Sequence, residues 1–260
     1  QAADEGPATL VRATIEWNHS TICLTGIEGT PRIRPARQPQ RSLRATLQQL
    51  PEDVRWALCD IAASDNGVVI AQALRDGTAV AVSDGSFKDK FGTAAWVIEG
   101  RRSDGRLEGQ CIIPGGPEDQ SAYRSELGGL YAIAAMVQVI CELHNIQEGS
   151  IEVACDGMNA LAQVGEADPI IRPNGAQYDI IAATQAKIKR TNIQWKMRHV
   201  MGHQDDTQGC TVMDRWETLN CMMDERAKQH WQHHSTRTTR VQEAVDGEPW
   251  AVTGSSKICG

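Results

Sequence analysis

Aromatic residues are scarce in this chain of 260 residues, where Phe, Trp and Tyr together make up 5%. The chain also lacks an internal repeat, and its 41% hydrophobic and 23% charged residues exclude collagen, a coiled coil or a disordered tail. No apolar run reaches the ~18 residues of a membrane-spanning helix, so we expect no transmembrane segment and no membrane partner. Gln1 is not followed by a basic and then apolar signal, so we expect an excerpt of a longer polypeptide or a processed product.

Paired cysteine motifs are absent too. The 8 cysteines show no C-x-x-C spacing, which excludes a zinc cluster and the dense disulfide framework of a small secreted domain. Several of them, such as Cys141 and Cys155, lie within apolar stretches. We therefore predict reduced, mostly buried thiols in an intracellular protein, without distinguishing cytoplasm from nucleus.

An excess of basic charge, the usual mark of a nucleic-acid-binding surface, is missing as well. The net charge is −7, and residues 79–232 hold 15 basic and 21 acidic side chains. An exception is the Pro- and Arg-rich stretch from Arg32 to Arg44, which has no acidic residue. This stretch is either an arm that holds nucleic acid or a solvated linker, and the sequence leaves both open.

The chain does contain a regular alternation of strand and helix patterns after residue 78. N-terminal to this region, residues 50–63 are predicted to form a helix with Pro51 in its first turn. The order βββαβααβα predicts an α/β protein with a five-stranded mixed sheet and helices on both faces. The predicted strands are 79–83, 93–99, 107–114, 151–155 and 193–200, and the predicted helices are 121–145, 159–166, 177–189 and 214–231.

Four acidic residues occupy unusual places in this pattern. Asp84 and Asp156 each follow a strand, and the two strands are parallel, so both carboxylates fall at the sheet edge where α/β proteins bind ligands. Glu126 lies on an otherwise apolar helix face, and Asp224 shares a face with Ala227. An Asp-Gly after one strand is usually only a turn, but four converging carboxylates repel one another unless a hard divalent cation binds them.

The motifs around these acids resemble, in order, those of type 1 ribonuclease H, and above all the domain that follows reverse transcriptase in retroelement polyproteins. They are VSDGS (82–86), YRSELGGL (123–130), CDG (155–157), VMGH (200–203) and LNCMMDERAK (219–228). The resemblance implies a ribonuclease H-like fold and an endonuclease that hydrolyses the RNA strand of RNA–DNA hybrids. It further implies a hybrid as partner and, in the same polypeptide, an upstream reverse transcriptase domain.

The resemblance also implies a role for each site residue. Asp84, Glu126, Asp156 and Asp224 would bind two Mg²⁺ ions, for which Mn²⁺ can substitute, and the products would carry 5′-phosphate and 3′-hydroxyl ends. His203 would assist proton transfer or product release. By analogy, contacts to the 2′-hydroxyls of the substrate are expected near Gly85, Ser86, Arg124 and Asn220.

The resemblance covers about residues 79–232, which we predict to be the ribonuclease H domain. Residues 1–78 are then an upstream segment, either a linker or the remnant of a preceding domain, and residues 233–260 a flexible tail. Two other functions stay open at this point: a DNA nuclease or strand-transfer enzyme of the same fold, and a non-catalytic scaffold that binds nucleic acid.

Overall fold

The computed structural model of the protein describes residues 42–63, 65–100, 105–165, 177–202, 213–236 and 245. Its strands are β1 (Asp60–Ala63), β2 (Ala79–Lys88), β3 (Phe91–Glu99), β4 (Arg106–Ile112), β5 (Ser150–Cys155) and β6 (Gln194–His199). Its α-helices are α1 (Leu43–Gln48), α2 (Glu52–Arg55), α3 (Val68–Arg75), α4 (Ala122–Leu143), α5 (Met158–Gly165), α6 (Tyr178–Arg190) and α7 (Arg215–His234), and a short 3-10 helix spans Trp56–Leu58.

The strands form one mixed sheet in the order β1-β4-β3-β2-β5-β6. β2, β3 and β4 pair antiparallel, whereas β2, β5 and β6 run parallel. Helix α4 covers one face of the sheet and α7 covers the other. Neighbouring side chains of β2 point to opposite faces, so Ala81 packs in the hydrophobic cluster with α4 and Val82 in the cluster with α7. The predicted α/β class, with a mixed sheet and helices on both faces, is confirmed, and the strand directions are those of the ribonuclease H-like fold.

The predicted number of five strands is wrong, because β1 adds a sixth. It pairs antiparallel with β4, from Asp60 opposite Gln110 to Ala63 opposite Leu107. Residues 50–63 accordingly do not form one helix as predicted. The helical part consists of α2 and the 3-10 helix and ends at Leu58, and β1 begins at Asp60. Without β1, the outer backbone groups of β4 would lie at an open sheet edge, so strand pairing is favoured over a longer helix here. The domain limits at 78 and 232 stay a prediction.

β2 is also longer than predicted. The sequence Asp84-Gly85 was expected to end the strand in a turn, but β2 continues through both residues and stays paired with β3. The hairpin turn lies at Asp89 and Lys90, whose φ values of 52° and 58° are in the left-handed region. Asp84 is therefore held by regular strand pairing, opposite Ala95 of β3, and not by a loop.

Helix α4 is the core of the fold. Of the helices described, it alone is long and apolar enough to cross a membrane by length and composition. Its apolar window is 78% buried inside the protein, as in the core helix of a folded domain. The predicted stripe of Leu130, Ile133, Val137 and Ile140 is buried, and Tyr131 stacks on Trp56 with ring centroids 4.9 Å apart.

Helix α7 is fixed to the opposite face by apolar and polar contacts. Its Leu219, Met223 and Ala227 pack on β2 and β3. The Thr93 hydroxyl donates to the Ala227 carbonyl at 2.8 Å, and the Trp231 indole N–H donates to the carbonyls of Lys88 and Phe91. These bonds set the rotation of α7, and with it the direction in which its polar face points.

Candidate active site

Asp84 and Asp156 lie next to each other at the carboxyl edge of the parallel strands. Val82 of β2 is in register with Ala154 of β5, and two residues further along each chain lie the two aspartates. Because side chains alternate along a strand, the Asp84 carboxylate is on the same face as Val82, the face that α7 covers. Asp84 is only 5% exposed, and Asp156 is partly exposed just beyond the end of β5.

Glu126 is brought to this edge by a close approach between α4 and β2. The Ser121 side chain caps α4 by accepting a hydrogen bond from the Arg124 N–H, which places Glu126 in the second turn. Gly85 permits the approach, since a Cβ at this position would lie 2.7 Å from the Glu126 backbone nitrogen. The Cys155 thiol donates to Glu126 Oε2 at 3.0 Å and so holds this carboxylate beside Asp156.

Asp224 reaches the cluster from α7. This helix begins with a capping box between Asp214 and Glu217, and its face carries Asn220 and Asp224 toward β2. The Asn220 side-chain nitrogen lies 3.4 Å from Asp84 Oδ2. Lys228, one turn further along, donates to Asp224 Oδ2 at 2.6 Å. The four predicted acids thus converge, as expected from the topology, but Asp224 has a basic partner that the sequence analysis did not assign.

The electrostatics of the cluster favour a bound cation. Burial, followed by the charges of Asp156 and Asp224, raises the pKa of Asp84 from 3.8 to about 8, although the Gly85 N–H and Lys228 act in the opposite direction. Burial, then Asp84 and Asp156, raises the pKa of Glu126 well above its ordinary value. Carboxylates that resist ionisation in the absence of metal are stabilised when a divalent cation balances their charge.

The residues present fit the Mg²⁺ ions that the resemblance implies. Four carboxylates supply the oxygen ligands that Mg²⁺ prefers. A second sign is the side-chain oxygen of Asn220, a residue 1% exposed, which has no hydrogen-bond partner among the described residues while its amide nitrogen faces Asp84. Asp84, Glu126, Asp156 and Asp224 would therefore hold the metal.

The predicted substrate contacts separate into two groups. Gly85 and Ser86 are partly exposed beside Asp84, so their position is compatible with a contact, which stays a prediction. Asn220 is 1% exposed and its side-chain nitrogen faces Asp84, so its direct contact with a substrate stays a prediction. Asn220 is also placed to position Asp84.

Arg124 is in a different place from the one predicted. It is 3% exposed, and its guanidinium donates to both carboxylate oxygens of Asp179, to the Gln177 side chain and to the Pro114 carbonyl. Burial opposes ionisation of Asp179, but the bonds and charge of Arg124 hold the pKa of that carboxyl below its ordinary value. Arg124 joins the first turn of α4 to that of α6, and it is not available to a substrate.

Two residues that contact the acids, Lys228 and Cys155, were not predicted to be site residues. Lys228 follows Asp224 by four residues, the spacing at which a basic and an acidic side chain meet on a helix, so its pairing was predictable. Cys155 was interpreted only as a buried thiol, and nothing in an apolar strand sequence signals its contact with Glu126. His203 lies outside the described residues.

A cavity of about 640 Å³ lies near α1 and β1, where Leu43, Leu47 and Ile61 line it. None of the four acids contributes to its wall.

Comparison with solved structures finds several ribonuclease H chains. They include the N-terminal RNase H domain of a Mycobacterium tuberculosis protein, solved as a fusion with maltose-binding protein (13% identity, 60% of this chain and 94% of that chain covered, TM-score 0.39). RNase H1 of the halophilic archaeon Halobacterium salinarum is similar at 16% identity, with 60% and 98% covered and a TM-score of 0.39. LC11-RNase H1 in complex with an RNA/DNA hybrid is similar at 11% identity, with 58% and 94% covered and a TM-score of 0.40.

No family model and no curated protein matches the chain. Identities and TM-scores at these levels say nothing about activity. The fold assignment therefore rests on the strand order and directions of this sheet, and the functional assignment rests on the four carboxylates at its edge.

Proposed function

We propose that this protein is a metal-dependent endonuclease that hydrolyses the RNA strand of RNA–DNA hybrids and leaves 5′-phosphate and 3′-hydroxyl ends. The observation that supports the proposal most is the convergence of Asp84, Glu126, Asp156 and Asp224, from two strands and two helices, on one sheet edge. A fold of this size needs no such cluster for its stability, since like charges brought together without a cation oppose folding.

Each residue of the site has a distinct task in this proposal. Asp84 is central, because it interacts with both Asp156 and Asp224 and is fixed opposite Ala95 by the pairing of β2 with β3. Two Mg²⁺ ions bound to the four acids would supply activation of the attacking water and stabilisation of the leaving oxygen. Asn220 and Cys155 orient Asp84 and Glu126, and His203 would move a proton or assist product release.

The proposal includes a setting in a longer polypeptide. The motif resemblance favours an upstream reverse transcriptase domain, which would present the hybrid to this site. With a net charge of −7, the chain has little general attraction for phosphate, so hybrid binding would depend on metal and on a neighbouring domain or the Arg32–Arg44 stretch.

A DNA nuclease or strand-transfer enzyme is the second candidate, since it would use the same fold. Such relatives usually carry three acids, whereas this chain has four. Here the glutamate also precedes the second aspartate of the site, on α4, which favours the ribonuclease.

Cleavage of matched substrates separates the two candidates. We expect the full chain in Mg²⁺ to cut the RNA strand of a labelled hybrid and to leave duplex DNA and duplex RNA of the same sequence intact, because a ribonuclease needs a 2′-hydroxyl on the cut strand and a hybrid geometry beside it. Gel analysis of all three substrates, each labelled on either strand, measures this. Cleavage of duplex DNA at the rate of the hybrid would favour the second candidate and contradict the first.

A further inference from the structure

The buried thiol of Cys155 lies inside the acidic cluster and not merely beside it. Its Sγ is 3.0 Å from Glu126 Oε2 and 4.0 Å from Asp156 Oδ1. Among the described residues, one ligand atom from each of these three side chains falls within 4.8 Å of the others. The site therefore offers sulfur as well as oxygen to a cation.

The geometry of this trio is close to that of a tetrahedral site with mixed ligands. Zn²⁺ bonds of about 2.3 Å to sulfur and about 2.1 Å to oxygen place the sulfur and oxygen ligands about 3.6 Å apart. The two observed separations of 3.0 and 4.0 Å lie on either side of that value.

The surroundings of the thiol also suit a metal-bound sulfur. The Gly157 backbone N–H donates to Sγ at 3.2 Å, and such outer hydrogen bonds orient and tune metal ligands. Next to Asp84, the buried side-chain oxygen of Asn220 has no hydrogen-bond partner among the described residues. Three protein ligands and an open fourth position are the usual arrangement of an accessible zinc site.

We infer that Cys155, with Glu126 and Asp156, forms a site for thiophilic divalent cations such as Zn²⁺, which compete there with Mg²⁺. The inference rests on the proposed metal site and adds a sulfur ligand to it. On binding, the S–H bond breaks, the sulfur donates its electron pair to the ion, and the proton passes to solvent without any redox change. Thiolate ligands favour Zn²⁺ and its heavier relatives over Mg²⁺, so such ions would inhibit the enzyme in the presence of Mg²⁺.

Cadmium is the probe that tests this site, because a Cd²⁺–thiolate bond gives an ultraviolet charge-transfer band without any need for activity. We expect the metal-free full chain to show the band on titration with Cd²⁺, and Cys155→Ser to lose its tightest component, with an affinity about 10–100-fold weaker. Cys59→Ser, which changes an exposed thiol, is the matched control and should keep it. A titration of Cys155→Ser that matches the wild type would overturn the inference.

A second measurement needs no variant. Since Mg²⁺ and Cd²⁺ would share Glu126 and Asp156, saturating Mg²⁺ should shift the titration of the band in the wild-type protein to higher Cd²⁺ concentrations. A Cd²⁺ titration that saturating Mg²⁺ leaves unshifted would place the thiolate elsewhere and contradict the inference. If the Cd²⁺ results are as expected but no hybrid is cleaved in Mg²⁺, the sulfur site is supported and the proposed nuclease function is contradicted. If the hybrid is cleaved but the Cd²⁺ results are not as expected, the nuclease function is supported and only the role of Cys155 as a ligand is contradicted.

Discussion

Asp84→Asn is expected to slow Mg²⁺-dependent cleavage of an RNA–DNA hybrid by roughly 10³-fold or more. The asparagine keeps the size of the side chain but removes the charge of the one acid that interacts with both Asp156 and Asp224. The pairing of Asp84 with Ala95 of β3 fixes the position of this side chain in the cluster. Single-turnover cleavage of a labelled hybrid, with enzyme in excess, measures the effect.

The control for this variant is Asp76→Asn. Asp76 is exposed at the end of α3, where its carboxyl accepts a hydrogen bond from Gln72, so its replacement should leave the cleavage rate within about twofold. Equal rates for the wild type and Asp84→Asn, with both proteins folded, would show that the acidic cluster is not the site of hydrolysis.

Metal-free wild-type protein is expected to lose free energy of unfolding as the pH rises from about 4 to about 8. Burial and the neighbouring acids raise the pKa of Asp84 from 3.8 to about 8, so between these values the folded protein holds a proton that the unfolded chain has released. Protonation of Asp84 therefore stabilises the folded state. As the pH rises through this range, the free energy of unfolding falls by up to about 1.4 kcal/mol per pH unit. Urea denaturation at a series of pH values measures this slope.

Asp84→Asn should reduce that slope, since its amide does not titrate. We expect the variant to be more stable than the wild type at pH 8, by about 1 kcal/mol or more, and nearly equal to it at pH 4, where Asp84 is protonated in the folded protein. Mg²⁺ at pH 8 should stabilise the wild type and narrow the difference, because it binds the folded cluster. Identical pH profiles for the two proteins would contradict the assigned electrostatics.

Much of the fold could be predicted because its signals are local. The apolar stripe of α4 and the short apolar runs of β3 and β5 show their periodicity directly in the sequence. The exceptions were set by distant partners. β1 forms since β4 offers it an edge, and β2 continues through Asp84-Gly85 because β3 pairs along its whole length. A turn propensity of two residues is outweighed by such a ladder of hydrogen bonds.

The acids of the site were predictable for a different reason. A carboxylate on an apolar helix face, such as Glu126, is a local anomaly, and the parallel direction of β2 and β5 then fixes where it meets Asp84 and Asp156. The directions of polar side chains were not predictable in this way. Arg124 turns into the protein because Asp179, 55 residues away, accepts its hydrogen bonds. Such a contact depends on the packing of α6 against α4, which no local pattern encodes.

The most direct test of the central claim, that the four carboxylates form a divalent-metal site, is calorimetric titration of the metal-free full chain with Mg²⁺. The account predicts saturable Mg²⁺ binding in the millimolar range for the wild type. Asp84→Asn should lose this binding, since the Asp84 carboxylate interacts electrostatically with both Asp156 and Asp224. The absence of any binding to the folded wild-type protein at millimolar Mg²⁺ would contradict the account and favour a non-catalytic scaffold that merely keeps the fold.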